Sequence, residues 1–288
     1  MKFMLTAFAD ESSPEISGQI EALQRNNMKY IELRGINNKS AYDYTLDESR
    51  EFAKIYRENG ITVSSLGSPL GKIKITDDFA PHFEFTKKIT EMANIYGAKF
   101  IRLFSFYIPQ GEDASSYRNE VMDRVGKMAE YITANGIRPA HENEAGIYGE
   151  SAENCVDILN TLGEDKIGGI FDPANFIITG HKIPEAYKLL RGKFDYMHIK
   201  DAIMETCQVV PAGKGEGMIA DILKDYSENS SCDRFLTLEP HLTVFDGLQS
   251  LQQEELKHKY TFDSKEEAFD TAVNSLKEIL ESNELKYE

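Results

Sequence analysis

Short apolar runs alternate with longer amphipathic stretches along the whole chain. The short runs predict eight strands, at 3–8, 30–33, 62–66, 100–104, 138–142, 169–171, 196–199 and 235–238. The stretches between them repeat apolar residues at helical spacing and predict helices at about 14–27, 47–59, 78–96, 114–135, 151–163, 183–191, 217–228 and 265–283. Gly97 and the Asn-Gly pairs at 59–60 and 135–136 are typical helix ends, and Ser151 and Ser264 are typical helix starts.

Eight successive strand-then-helix units predict one parallel sheet that closes into a (β/α)8 TIM barrel. The competing doubly wound open sheet usually has a glycine-rich turn after its first strand, and Ala7-Phe8-Ala9-Asp10-Glu11 stands there instead. We therefore expect residues 1–288 to form a single barrel domain. It has a long loop at 241–264 after strand eight and a C-terminal helix at 265–283. That loop, which holds Phe245, Leu248, Leu251 and Tyr260, would serve either as a lid or as a dimer contact.

The composition limits the partners and the location. Lys and Arg total 32 against 48 Asp and Glu, so the net charge is −16, which disfavours nucleic acid and anionic membranes. The sequence has no apolar run of transmembrane length and no signal-peptide pattern, so we expect a cytoplasmic protein. Its three widely spaced cysteines (Cys155, Cys207, Cys232) are expected to be reduced thiols. A small molecule is the expected partner, and a homo-oligomer is compatible with the sequence.

Four chemically active side chains follow strands five to eight: Glu142, Asp172, His198 and Glu239. In a barrel the C-terminal strand ends meet at one rim, where active sites lie. Three carboxylates and one imidazole cannot be buried together without a cation, because like charges repel strongly at low dielectric. The set predicts one divalent ion, Mn²⁺, Mg²⁺, Co²⁺ or Zn²⁺. Any one of the four alone would more often be a helix cap or a surface charge.

Other polar residues near the same rim are candidates for binding substrate. Lys200 should point inward with His198 and contact substrate, or else pair with a carboxylate such as Asp201 or Glu144. Glu144 should lie on the same side as Glu142. Arg34 and Arg102 would hold an anionic group, although an Arg34–Glu32 ion pair is the simpler explanation for Arg34.

Two further segments have possible roles at this rim. The glycine-rich stretch at 212–217 is either a phosphate site or, more simply, a mobile turn into the next helix. Phe104, Phe106 and Tyr107 are expected to form part of the pocket wall.

Several motifs resemble the xylose-isomerase-like TIM barrel proteins, a superfamily of sugar (phosphate) isomerases and epimerases that also contains endonuclease IV. The matching segments are His-Glu-Asn-Glu at 141–144, Phe-Asp-Pro-Ala-Asn-Phe at 171–176, Met-His-Ile-Lys-Asp at 197–201 and Leu-Glu-Pro at 238–240, with Phe-Ala-Asp-Glu at 8–11 and Tyr-Ile-Glu-Leu-Arg at 30–34. The resemblance makes Glu142, Asp172, His198 and Glu239 the metal ligands. It also makes Glu142 and Glu239 the catalytic acid/base pair. Asn175 and Glu144 stand where many members have histidines, and we predict that both bind substrate.

The favoured hypothesis is a divalent-metal-dependent isomerase or epimerase of a sugar, sugar phosphate or polyol, acting through an enediolate. The alternative is a dehydratase of the same fold, of the inosose or dehydroshikimate type. A third, non-enzymatic hypothesis is a carbohydrate-binding barrel that has lost catalysis. A DNA-repair enzyme is disfavoured, because strands three and four end in Ser64, Ser65, Arg102 and Ser105 rather than in further histidines, and because the chain is acidic.

Overall fold

A computed structural model of the chain describes residues 1–244 and 260–288. Its main sheet has eight parallel strands, β1 to β8: Phe3–Ala7, Tyr30–Leu33, Thr62–Leu70, Phe100–Leu103, Arg138–Glu142, Gly168–Phe171, Phe194–Ile199 and Arg234–Leu238. Each strand pairs with its neighbours in chain order, β8 pairs with β1, and β1 and β2 lie side by side where the barrel closes. The predicted TIM barrel is confirmed.

The helices surround this barrel. The described residues form α1 to α9: Ile16–Arg25, Leu46–Glu58, Phe79–Tyr96, Arg118–Ala134, Ala152–Leu162, Pro173–Ile178, Ile183–Leu190, Ile219–Asn229 and Lys265–Ser282. Their boundaries follow capping chemistry. Gly97 ends α3 in the left-handed conformation, and the Ser151 and Ser264 hydroxyls accept backbone N–H bonds at the starts of α5 and α9. No helix in the described ranges is both long and apolar enough to cross a membrane.

Aromatic side chains fill the N-terminal end of the barrel interior. Tyr30 and Phe100 begin their strands, and both rings contact Phe235, while Phe100 also contacts Tyr196. This layer closes the bottom of the barrel with apolar surface. Polar side chains are therefore concentrated toward the opposite, C-terminal end, where the candidate site lies.

The sequence analysis misses three local features near that end. β3 continues to Leu70 instead of stopping at 66, because Arg102 donates hydrogen bonds to the carbonyls of Gly67 and Ser68, in a stretch whose Gly and Pro resemble a turn. The short helix α6 follows β6 directly. A small antiparallel pair, Asp201–Ile203 with Gln208–Val210, follows β7. Of the predicted loop at 241–264, residues 245–259 lie outside the described residues, so its proposed role as lid or dimer contact stays a prediction.

Candidate metal centre and pocket

The four predicted ligands come together at the C-terminal rim of the barrel. Glu142, Asp172, His198 and Glu239 each offer one ligand atom, and these atoms all lie within 4.8 Å of one another. All four side chains are buried, the most exposed being Glu239 at 4%. The arrangement follows from the fold, because four neighbouring strands bring residues 142 to 239 to one rim.

Asp172 shows why a helix cap does not account for this set. Its Oδ1 accepts a hydrogen bond of 2.9 Å from the Asn175 backbone N–H and so caps α6. Its Oδ2 points into the cluster, 3.0 Å from Lys200 Nζ but without a well-directed hydrogen bond. The cap therefore uses one carboxylate oxygen and leaves the other free for a cation.

Three positively charged side chains at the site, Lys200, Arg102 and Arg34, pair with candidate ligands. Lys200 Nζ lies 3.0 Å from both Asp172 Oδ2 and Glu239 Oε2, and Arg102 Nη1 donates to Glu142 Oε2 at 3.0 Å. Lys200 pairs with rim carboxylates, as one of its two expected roles requires, but the named partners Asp201 and Glu144 are wrong. Its inward direction takes it to Asp172 and Glu239 instead.

Arg34 also has partners other than the expected one. Its guanidinium binds Asp10 at 3.0 Å and Glu11 at 3.1 Å and reaches Glu239 at 3.3 Å. The predicted pair with Glu32 is wrong: Glu32 lies deeper in the barrel, among buried hydroxyl groups, while Arg34 extends along the rim.

The charge balance of this cluster fits a divalent cation. Six carboxyl groups share positively charged partners here: Asp10, Glu11, Glu32, Glu142, Asp172 and Glu239. They face Arg34, Arg102, Lys200, His198 and His241, and burial lowers the pKa of His241. With His198 protonated and His241 neutral, the acids exceed the bases by two. Burial raises the pKa of both Asp172 and Glu11 to about 7, and a cation beside either carboxylate would favour its ionised form.

The two glutamates predicted to transfer protons have pKa values shifted in the opposite direction, below the usual range. Burial alone would raise the pKa of Glu142, but the neighbouring His198 and Arg102 lower it to about 2. Burial is likewise outweighed at Glu239, where Lys200 and His198 hold the pKa well below its usual range. Both carboxylates are therefore ionised at neutral pH.

A pocket of about 400 Å³ opens above these carboxylates. It is lined by the predicted substrate-binding residues Arg34, Arg102, Glu144, Asn175 and Lys200, together with Tyr42, Pro69, Lys72, Ile178, Val209 and His241, among others. Phe104 and Phe106 are fully buried and do not line it, and neither does Tyr107, so that expectation is wrong.

Two of these lining residues are held by contacts of their own. Glu144 accepts a hydrogen bond of 2.9 Å from Lys72, whose ammonium also lies over the Phe104 ring. The amide nitrogen of Asn175 donates to the Asn143 carbonyl at 2.9 Å. These contacts fix both side chains at the pocket, and their roles toward substrate stay predictions.

The glycine-rich loop at 212–217 is a turn before α8 that encloses a carboxylate of the protein, and it is not an open phosphate site. The buried Asp201 carboxylate accepts hydrogen bonds of 2.8–3.0 Å from the backbone N–H groups of Ala202, Gly213, Gly215 and Gly217. A Cβ atom at Gly215 or Gly217 would lie within 2.7 Å of Asp201 Oδ1. The loop therefore binds an anion, but this anion is a side chain of the protein itself.

Sequence reasoning misses several residues of the site. Phe8 packs its ring against His198 and lies 4.4 Å from the Arg34 guanidinium. His241 lies 3.4 Å from Glu239 Oε1 and 3.3 Å from Glu11 Oε1. Glu32 lies beneath His198. Phe8 and Glu32 belong to the segments at 8–11 and 30–34 that carry the resemblance. These segments alone do not show which residues each side chain contacts.

Comparisons with known proteins agree with this geometry. The family model of the xylose isomerase-like TIM barrel matches residues 20–253. The chain belongs to the xylose isomerase-like TIM barrel family. A comparison with curated protein sequences finds no match.

Solved structures share the barrel of this family at low identity. The IOLI protein with a binding zinc atom is 19% identical with a TM-score of 0.72, over 98% of this chain and 99% of that one. An L-ribulose 3-epimerase is 17% identical with a TM-score of 0.72, over 99% and 96%. The probable 3-DHS dehydratase AsbF from Bacillus anthracis is 14% identical with a TM-score of 0.72, over 96% and 99%. At such identities these likenesses establish the fold, and this one fold carries more than one reaction.

Proposed function

We propose that this chain is a divalent-metal-dependent isomerase or epimerase of a small sugar or polyol-derived ketose. The observation that carries the proposal is the convergence of Glu142, Asp172, His198 and Glu239, whose ligand atoms lie within 4.8 Å of one another, with Glu142 and Glu239 also lining the pocket. The excess of carboxylates there supports a cation of charge two, as does Asp172 Oδ2, which lies 3.0 Å from Lys200 Nζ without a well-directed hydrogen bond. Structural neighbours that include an L-ribulose 3-epimerase and a protein with a bound zinc atom are consistent with this chemistry.

Glu142 and Glu239 would divide the proton transfer between them. When bound, the metal would polarise the substrate carbonyl and the neighbouring hydroxyl, which stabilises the negative charge that develops on those oxygens. One glutamate accepts the proton from the carbon beside the carbonyl, leaving an enediolate of the substrate. The other returns a proton to the opposite face, which inverts that carbon. The two carboxylates come from β5 and β8, three positions apart in the sheet, so they approach the pocket from different sides.

Lys200, Arg102 and Arg34 would orient the substrate in this proposal. Each lines the pocket and already contacts a ligand carboxylate. A metal that takes up these carboxylates would leave the cations free to hydrogen-bond substrate oxygens. Because Asp201 occupies the amides of the glycine-rich loop, we favour a substrate without phosphate. Glu144 and Asn175 also line the pocket, where hydroxyl groups of a sugar would find polar partners. The cytoplasmic location and the homo-oligomer stay predictions.

The metal site is tested first by elemental analysis of the purified protein. We expect about one divalent ion per chain after loading with Mn²⁺, Co²⁺ or Zn²⁺, and its loss in His198→Ala. Failure of the wild-type protein to bind any of these ions would refute the proposal.

The reaction is tested by incubating the metal-loaded protein with ketoses and aldoses in ²H₂O. NMR should show deuterium at the carbon beside the carbonyl, because proton exchange with solvent reports abstraction whichever product forms. Glu142→Gln and Glu239→Gln should each lower this exchange by at least about 100-fold, the size expected for a general base. A product lacking one water would identify a dehydratase instead, and a metal-loaded protein that binds sugars without exchange would identify a carbohydrate-binding barrel.

A further inference from the structure

Glu32 is a fully buried carboxylate that the proposed proton transfer does not use. It lies in β2 inside the barrel, one layer below the candidate metal centre. Its Oε2 accepts a 2.7 Å hydrogen bond from Thr237, and its Oε1 accepts bonds of 3.2 Å from Ser65 and Tyr196. These three hydroxyl groups hold the carboxylate in one orientation.

The charged neighbour of this carboxylate is His198. In the part of the chain that the structure describes, the only ion-pair partner of Glu32 is the His198 ring, whose Nε2 lies 3.4 Å from Glu32 Oε2. His198 Nε2 is buried and makes no hydrogen bond of normal geometry within the described residues. A buried N–H here would find its acceptor in Glu32 after a shift of a few tenths of an ångström.

The two nitrogens of His198 face different surroundings. Nδ1 lies 2.8 Å from Glu142 Oε1 and 3.5 Å from Glu239 Oε2, on the side of the other candidate ligands. Nε2 faces Glu32 on the far side of the ring. A neutral histidine carries its proton on one nitrogen and binds metal through the other, and the partner of the protonated nitrogen decides which is which.

We propose that Glu32 is the positioning residue of the metal centre: it accepts the Nε2 proton of His198 and so directs the Nδ1 lone pair to the metal. The inference rests on the proposed metal site. Ser65, Tyr196 and Thr237 fix Glu32, Glu32 fixes the tautomer and orientation of the ring, and the ring presents one nitrogen to Glu142, Asp172 and Glu239. A glutamine at position 32 offers both a donor and an acceptor to Nε2, so this preference is lost.

Zinc binding to Glu32→Gln tests the inference, with Ser64→Ala as the matched control. Both variants remove a buried hydrogen bond inside the protein, but the Ser64 hydroxyl bonds Thr6 and the Ile31 carbonyl rather than Glu32 or the His198 ring. Calorimetric titration with Zn²⁺ alone should show a 10- to 100-fold weaker affinity for Glu32→Gln and less than about a threefold change for Ser64→Ala. Equal affinities of Glu32→Gln and wild type would overturn the inference and leave the metal site standing.

NMR of the wild-type protein provides a readout that does not depend on any variant at position 32. In ¹⁵N-labelled, zinc-loaded protein, with the signals assigned against His198→Gln, we expect His198 to carry its proton on Nε2 and zinc on Nδ1. Zinc on Nε2 with a protonated Nδ1 would overturn the inference even if Glu32→Gln fails to fold. A wild-type protein that binds none of Zn²⁺, Mn²⁺ and Co²⁺ would overturn both this inference and the proposed function.

Discussion

At the scale of single residues, Gly71 shows how tightly the backbone leading to the pocket is packed. It ends the extended β3 with φ of +85°, and a Cβ atom there would lie 2.1 Å from the Phe104 carbonyl oxygen. The next residue, Lys72, lines the pocket. Because the contact is with backbone, the clash cannot be relieved by a rotamer change.

We expect Gly71→Ala to destabilise the protein by about 3 kcal/mol, the sum of left-handed strain and a backbone shift. Gly60→Ala is the control, since Gly60 also has a positive φ of 73° but no atom within 4 Å of the added methyl group. It should cost about 1 kcal/mol, from strain alone. Urea denaturation of both variants measures the difference, and equal losses would mean that Phe104 moves aside freely.

His82 makes the stability of the same turn depend on pH. Its Nε2 accepts a hydrogen bond of 2.8 Å from the Gly71 N–H, which requires that nitrogen to be unprotonated. Burial, with a smaller effect of Arg124, lowers the pKa of His82 below its ordinary value of 6.5. As the pH falls through 6.5, the unfolded chain binds a proton that the folded chain does not, so stability is lost toward acid.

We expect the wild-type protein to lose more stability than His82→Gln between pH 7.5 and pH 5.5, because glutamine can accept the Gly71 bond without titrating. One group contributes at most about 1.4 kcal/mol per pH unit. Urea unfolding midpoints at the two pH values measure the effect. Parallel losses in the two proteins would show that His82 is not the titrating group.

At the scale of elements, the boundaries that were predictable are those with a local chemical signal. Gly97 ends α3 and Ser151 begins α5, because capping depends on residues within one turn of the chain. The end of β3 was not predictable in this way. Its Gly67 and Ser68 carbonyls accept hydrogen bonds from the Arg102 side chain on β4, a partner more than thirty residues away.

The glycine-rich loop is a case in which a local sequence signal predicts the wrong structure. Its composition indicates a phosphate site or a mobile turn, whereas the structure fills it with Asp201. Asp201→Asn leaves one acceptor oxygen and places an NH₂ group against backbone N–H donors. We expect a loss of about 2–3 kcal/mol, the range for hydrogen bonds to a buried charged group.

The control for Asp201→Asn is Asp221→Asn in the first turn of α8, an exposed acid whose interaction with the helix dipole contributes less than about 1 kcal/mol. Thermal unfolding compares the two variants, and limited proteolysis shows whether the loop at 211–217 becomes accessible. An Asp201→Asn protein as stable and as resistant as Asp221→Asn would mean that the loop holds its shape without the carboxylate.

At the scale of the whole molecule, the barrel explains why the residues of the site could be predicted from the sequence and why their contacts could not. The residues at the rim were predictable, because parallel strands must end together. Their partners were not, because pairing depends on depth within the barrel. Glu32 lies in β2 and Arg34 follows that strand, two residues apart. Yet Arg34 contacts Glu239 at the rim while Glu32 contacts His198 one layer below.

In the metal-free protein, Lys200 neutralises part of the buried negative charge of the candidate metal centre. Its ammonium lies 3.0 Å from Asp172 and Glu239, both buried. Without it, two buried carboxylates lose their nearest cation, which costs about 3–5 kcal/mol when one partner of a buried pair is removed. A bound divalent ion would compensate the same charges. We therefore expect metal-free Lys200→Met to be much less stable than wild type and to gain more stability from metal.

Thermal unfolding with and without Zn²⁺ or Mn²⁺ measures both effects, with Lys72→Met as the matched control. Lys72 lies in the same pocket but pairs with Glu144 rather than with a candidate ligand. Metal at 100 times its dissociation constant stabilises the wild-type protein by about 2.7 kcal/mol, and Lys72→Met should gain the same amount. A larger gain in Lys200→Met alone would show that lysine and metal neutralise the same carboxylates. If Lys200→Met is as stable as Lys72→Met both with and without metal, then other groups neutralise Asp172 and Glu239. The cluster would then lack the excess negative charge on which the proposed metal site depends.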